Sequence, residues 1–209
     1  RPRGFEPCPD GAWDGDDSVI AVPSGRFRQG ATGRVFAYDN ELRAHDVAFG
    51  GFRIDRFPIS ETHYLRFLED GGYQCRAAWS EAGWNWRVTN AVDSPRGWFR
   101  NDVGNWEIRA TFEIREPREG VPICGVSQHE ALAFAAWAGR RLPTESEWER
   151  AAAWDPVSGM ARIFPWGDDL IPPPRINCSH RRWGVWPCPT DVEVTPRSGC
   201  TDLAGQVWE

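Results

Sequence analysis

The sequence predicts a loop-rich α+β fold, and three observations lead there. Three short helices carry their own start and stop signals, strand-like segments precede them, and 13 tryptophans are spread among 21 glycines and 17 prolines. A chain of 209 residues can bury a sizeable core within one domain. Indole rings fill the space between irregular segments in such a fold, and a long helical bundle is excluded.

Residues 1–18 are rich in Pro, Gly and Asp and lack apolar periodicity. They read as a linker or surface strap ahead of a single domain over residues 19–209. Val19-Ile20-Ala21-Val22, then Pro23-Ser24-Gly25, then Arg26-Phe27-Arg28-Gln29-Gly30 predicts a hairpin turning at Pro-Ser-Gly. Residues 47–54 predict a further strand.

In the first helix Ser60 caps the opening amides, Tyr64, Phe67 and Leu68 share a face, and Gly71-Gly72 supplies the left-handed exit. The second begins at Ser127, which stands at capping-box spacing from Glu130. Its expected buried set is Leu132, Phe134, Ala135 and Trp137, and Gly139 stops it. The third repeats the signature: Thr144 and Glu147 form the box after Pro143, and Trp148, Ala151 and Ala152 form the stripe before Asp155-Pro156. Between the first two helices the tract carrying Trp79, Trp84, Trp86, Trp98 and Trp106 reads as irregular. Residues 163–196 read as ordered loop, not as a second domain.

Lys and Arg total 24 against 30 Asp and Glu, a net charge of −6, and adjacent basic residues are limited to Arg140-Arg141 and Arg181-Arg182. A surface that tracks nucleic-acid phosphates or an anionic membrane is therefore not expected, and small molecules or proteins are the expected partners. The longest apolar stretch, residues 131–139, is too short to span a bilayer, and no charged-then-apolar leader opens the chain. A soluble, cytoplasmic protein is expected. Because Arg1 is the first residue and Met160 the only methionine, the natural start is expected upstream. The six cysteines (Cys8, Cys75, Cys124, Cys178, Cys188, Cys200) form no Cys-x-x-Cys pair, which argues against a zinc knuckle or a thioredoxin-like motif. Reduced thiols are expected, with the even count leaving bridges open.

Gly125-Val126-Ser127-Gln128-His129-Glu130-Ala131 and the run Trp137-Ala138-Gly139-Arg140-Arg141-Leu142-Pro143-Thr144-Glu145-Ser146-Glu147-Trp148-Glu149 closely resemble the sulfatase-modifying-factor family. So do Phe164-Pro165-Trp166-Gly167-Asp168 and the closing Asp202-Leu203-Ala204-Gly205-Gln206-Val207-Trp208-Glu209. The resemblance runs from about residue 19 to the end and implies a C-type-lectin-like fold, here C-terminally incomplete. Asp39-Asn40-Glu41, Asp70-Gly71-Gly72-Tyr73, the tract 79–87 with Gly83-Trp84-Asn85-Trp86-Arg87, and Ala153-Trp154-Asp155-Pro156 are more similar to ergothioneine-type sulfoxide synthases than to formylglycine-generating enzymes.

In the synthases a separate N-terminal helical domain holds a non-haem Fe(II) through three histidines, and the iron activates oxygen to join a thiol to a histidine-derived imidazole. The resemblance implies such a domain upstream, iron bound outside this chain, and small-molecule thiol and imidazole substrates. His45, His63, His129 and His180 offer no His-x-x-x-His pair and no facial triad. The copper-binding cysteine pair of formylglycine-generating enzymes falls after the Val-Trp-Glu motif, and no cysteine here matches it. No catalytic residue is thus assigned to this chain, which is expected to be inactive alone. A structural calcium of the formylglycine-generating type would fall on Asp202, Gly205, Val207 and Glu209, and hard cations do prefer mixed carboxylate and carbonyl shells. Alternatively Asp202 simply caps a turn. Besides the synthase, two functions fit the sequence: a formylglycine-generating oxidase, and a non-catalytic lectin-like binding module.

Overall fold

The computed structural model describes residues 19–31, 37–110, 113–155, 157–169, 199–205 and 207. The expected linker and most of the segment 163–196 lie outside them. Among the described residues, 19–58 form one compact unit with 143 onward, and 59–142 form another.

The ribbon unit opens with β1 (Val19–Val22), β2 (Gly25–Gln29), β3 (His45–Phe49) and β4 (Phe52–Asp55). The expected hairpin across Pro23-Ser24-Gly25 does not form, because β1 pairs antiparallel with β4 and β2 with β3. Val22 lies opposite Phe52 and Gly25 opposite Phe49, three residues further along each strand, so one register runs through all four. The ribbon is interrupted where Pro23 has no N–H to donate and Gly50-Gly51 faces it. Those glycines also split the single strand expected over 47–54. Along β2 the alternation holds: Phe27 and Gln29 are buried, while Arg26 and Arg28 are exposed. Phe27 and Phe52 both pack edge-on to Phe49.

In the helical unit, α1 (Glu61–Glu69) starts as expected, with the Ser60 hydroxyl accepting from His63 N at 3.2 Å. Tyr64, Phe67 and Leu68 are buried, and Gly71 leaves the helix at φ +73°. A side chain at Gly72 would run into the Phe67 ring, which is why the exit needs two glycines. The tract expected to be irregular contains α2 (Glu81–Thr89) and an antiparallel sheet of β5 (Trp98–Arg100), β6 (Trp106–Arg109) and β7 (Ile114–Arg115). The second helix escapes a pattern search for a physical reason. Ser80 caps it by accepting from Gly83 N at 3.1 Å, but glycine at the third position cannot complete a capping box. Gly83 is also its one fully buried residue, so no apolar stripe marks it.

The chain then forms α3 (Gln128–Trp137), whose box is complete: Ser127 Oγ accepts from Glu130 N and Ser127 N donates to Glu130 Oε2 at 2.7 Å. Its buried face runs through Glu130, Ala133 and Phe134 toward Trp137, so Leu132 points outward and is 39 % exposed, contrary to expectation. The burial of the capping glutamate turns the helix. Tyr64 stacks on Phe134 with ring centroids 5.3 Å apart, and Phe67 meets Phe134 and Trp137. These rings with Tyr73, Trp79 and Trp98 form the core of this unit.

The ribbon unit resumes at α4 (Glu145–Ala153), followed by β8 (Trp154–Asp155) paired with β9 (Met160–Ala161). The Thr144 and Glu147 box is present, and Ala151 and Ala152 pack with Cys200, Leu203, Ile20, Ile54 and Trp148. Helices and small antiparallel sheets joined by long loops make up an α+β fold of the expected kind. Among the described residues no helix is long and apolar enough to cross a membrane. Cys124 is a free thiol, whereas Cys75 is disulfide-bonded, so the reduced state expected of the cysteines does not hold there and the bridging left open by their even count does occur. Pairing depends on Cβ separations in the folded chain, which spacing along it does not supply.

Candidate functional site

Two sets of buried polar groups in the helical unit are closed by hydrogen bonds. In the first, Tyr73 OH donates to Glu130 Oε1 at 2.5 Å, lies 3.2 Å from Tyr64 OH, and ties the α1 exit to the capping glutamate of α3. Burial pushes both phenols above their ordinary range, Tyr73 further raised by Tyr64 and Glu130 beside it. Both therefore stay protonated, and Tyr73 remains a donor. In the second, Arg115 Nη1 and Nη2 reach Glu61 at 2.7 and 2.9 Å, and Arg118 N donates to the same carboxylate at 3.0 Å. The pairing raises the Arg115 pKa further.

Cys124 lies within the electrostatic reach of that pair. Burial pushes its thiol up, Glu61 adds to this, and Arg115 offsets part of it. A protonated thiol is the opposite of what nucleophilic or metal-binding cysteine chemistry requires.

The aromatic tract 79–87 is held by its own neighbours. The Arg76 and Arg87 guanidiniums lie 5.6 and 4.9 Å from the Trp84 ring, and Trp86 lies 5.4 Å from the His129 ring. Cation–π contacts of this kind fix the indole in place. Of the histidines, His45 Nδ1 is 3.1 Å from Arg43 O, and His63 and His129 stand in the first turns of α1 and α3. His180 lies outside the described residues. Among the described residues no group of three or more His, Cys, Asp or Glu side chains could hold a metal, and none is brought together for iron.

In the ribbon unit, the closing motif begins on fixed backbone. Thr201 donates to Arg56 O through N at 2.8 Å and Oγ1 at 3.2 Å, and Cys200 and Leu203 are buried. Between these anchors Asp202 takes φ +54° and Gly205 takes φ +88°. A carboxylate on constrained backbone suits one ligand of a hard cation, as do carbonyls at Gly205 and Val207. Val207 is half-buried, and Glu209 lies outside the described residues. Three of the four expected calcium residues are therefore among the described residues.

The same unit holds two charged groups: Asp155, which the sequence singled out only as a helix stop and as part of a synthase-like motif, and Arg150, which it did not single out. Asp155 accepts from Arg162 Nη2 at 2.6 Å and from Val157 N at 2.9 Å, which holds its carboxyl well below the usual carboxylate range. Arg150 is buried against two aromatic rings. Asp155 meets Arg162 across the β8–β9 pair, and Arg150 meets Trp154 one helical turn on, while its contact with Phe49 arises only through packing.

The model of the sulfatase-modifying factor enzyme 1-like domain matches residues 10–209. The chain is 39 % identical over 176 residues to the hercynine oxygenase of Mycolicibacterium thermoresistibile, covering 83 % of this chain and 38 % of that protein. It is 38 % identical over 210 residues to that of Mycolicibacterium smegmatis, covering 97 % and 47 %. With the formylglycine-generating enzyme of Thermomonospora curvata it shares 29 % over 221 residues, covering 91 % and 69 %. The chain thus spans less than half the length of the two hercynine oxygenases. On a match over nearly its whole length, this chain belongs to the sulfatase-modifying factor enzyme 1-like family.

Proposed function

We propose that this chain is the substrate-shaping part of a non-haem iron-dependent sulfoxide synthase, which joins a thiol to a histidine-derived imidazole in ergothioneine-type biosynthesis. One observation carries this: identity is 38–39 % to proteins named hercynine oxygenase and 29 % to one named formylglycine-generating enzyme. The iron would be held by a three-histidine helical domain upstream, where it supplies oxygen activation. The residues of this chain contribute shape and rigidity. The Tyr64-Tyr73-Glu130 set ties α1 to α3 and the Glu61–Arg115 pair ties α1 to β7, and α3 meets the tract 79–87 where His129 faces Trp86; the resemblance of that tract to the synthases motivates the assignment.

The test uses the complete open reading frame, purified and supplied with Fe(II), oxygen, hercynine and candidate thiols. Mass spectrometry is expected to find a carbon–sulfur-linked sulfoxide from the full-length protein and none from the present chain alone. A reading frame with no histidine-bearing upstream domain, or turnover by this chain alone, overturns the proposal. Conversion of a sulfatase cysteine peptide to formylglycine by the full-length protein favours the oxidase instead.

We further propose that Asp202, Gly205, Val207 and Glu209 hold a structural calcium. The constrained Asp202 backbone supports this.

A further inference from the structure

Buried charged groups among the described residues are generally met by a partner. Glu61 is met by Arg115, Glu130 by Ser127 N and Tyr73, Glu147 by Thr144 N, and Asp155 by Arg162. Arg150 departs from this. It is 6 % exposed, its Nε and Nη1 atoms are buried, and no described residue accepts a hydrogen bond from either. The Trp154 ring lies 3.8 Å from its guanidinium carbon and the Phe49 ring 5.5 Å. The nearest carboxylates along the chain are already engaged, Glu149 by Gly30 N at 2.7 Å and Asp155 by Arg162. Burial lowers its pKa to about 10, so it remains a cation at neutral pH.

An aromatic face attracts a guanidinium but does not accept its N–H groups, so the rings offset only part of the desolvation. With Trp154 stacked on the guanidinium, the unmet Nε and Nη1 donors lie in its edge, and a planar fork of donors matches a carboxylate lying in the same plane. One cation neutralises one negative charge. A phosphate dianion would bring a second, uncompensated charge into the same apolar surroundings.

We infer that Arg150 is the receptor for the carboxylate of a small monoanionic ligand, clamped in place for it by Trp154 and Phe49. No family resemblance enters this inference, and it stands or falls separately from the synthase proposal. The test measures the melting temperature of the 209-residue chain in sodium acetate and in sodium chloride at matched ionic strength, for wild type and Arg150→Met. Acetate is expected to raise the wild-type melting temperature above chloride, with its apparent affinity weakened at least ~10-fold in the variant. Arg150→Met should melt no lower than wild type in chloride, because it removes an uncompensated buried charge while keeping apolar bulk.

As a second measurement, the Arg side-chain Nε–H resonances of the wild type are followed by NMR during an acetate titration, and Arg150→Lys identifies the Arg150 signal. Equal responses to acetate and chloride, an unmoved Arg150 signal, or an acetate response surviving in Arg150→Met would overturn the inference. A larger response to inorganic phosphate than to acetate would overturn the choice of a monoanion.

Discussion

The buried carboxylates of the helical unit and the buried Arg150 of the ribbon unit are treated differently. In the helical unit Glu61, whose side chain is 5 % exposed, takes two bonds from Arg115 and one from Arg118 N, and Glu130 is bonded at both oxygens. In the ribbon unit the Asp155–Arg162 pair is closed in the same way, but Arg150, set among aromatic rings, has two buried donors, Nε and Nη1, with no acceptor among the described residues. A closed set holds a scaffold rigid, since removing one member strands the others. An open donor in apolar surroundings is instead a place where a ligand can add what the fold omits.

The largest effect that would break this contrast is expected at Glu61. Glu61→Ala leaves Arg115 with Glu113 at 3.4 Å and the Glu116 carbonyl at 3.0 Å and strands Arg118 N, so denaturant unfolding should report a loss of about 3 kcal/mol. A loss near zero would show that the helical unit does not depend on closure. Next comes the acid limb in the ribbon unit. Because Arg162 holds the folded-state Asp155 pKa below the unfolded value of about 3.9, the stability it contributes is present above that pH and fades as pH falls through the folded value. Asp155→Asn should flatten this decline in melting temperature between neutral and strongly acidic pH. An unchanged acid profile would remove the pair from the closed sets. The smallest effect expected is calcium removal: a chelator should lower the melting temperature by ~2–4 °C in wild type and leave Asp202→Ala unmoved. Equal chelator responses in the two would dismiss Asp202 as a ligand.

Much of the helical framework was legible in advance because its signals are local. Ser60, Ser127 and Thr144 each cap a helix within three residues, and the glycines after α1 and α3 take positive φ where the chain must turn. The helix capped by Ser80 was not legible, since Gly83 replaces the glutamate of a box and the surrounding indoles blur any stripe. Nor was the pairing of β1 with β4. Pro-Ser-Gly is sound turn chemistry, yet continuing the ribbon keeps one register through four strands and leaves the turn to the segment after Gln29.

For the candidate site the division follows the same line. The residues of the closing motif could be named from resemblance, whereas the constrained backbone of Asp202 and the anchoring of Thr201 on Arg56 emerge only in the fold.

By itself, the sequence determined the caps, the helix stops, the aromatic load of the core and the family to which the chain belongs. These are set by neighbours within a few residues or by motifs read in order. Only the tertiary structure decided that Cys75 is bridged, that Leu132 faces outward, that Tyr73 meets Glu130 and that Arg150 Nε and Nη1 lie buried without an acceptor among the described residues. The physical reason is range: a hydrogen bond, an ion pair or a desolvation penalty acts over a few ångströms between groups that folding brings together from distant parts of the chain.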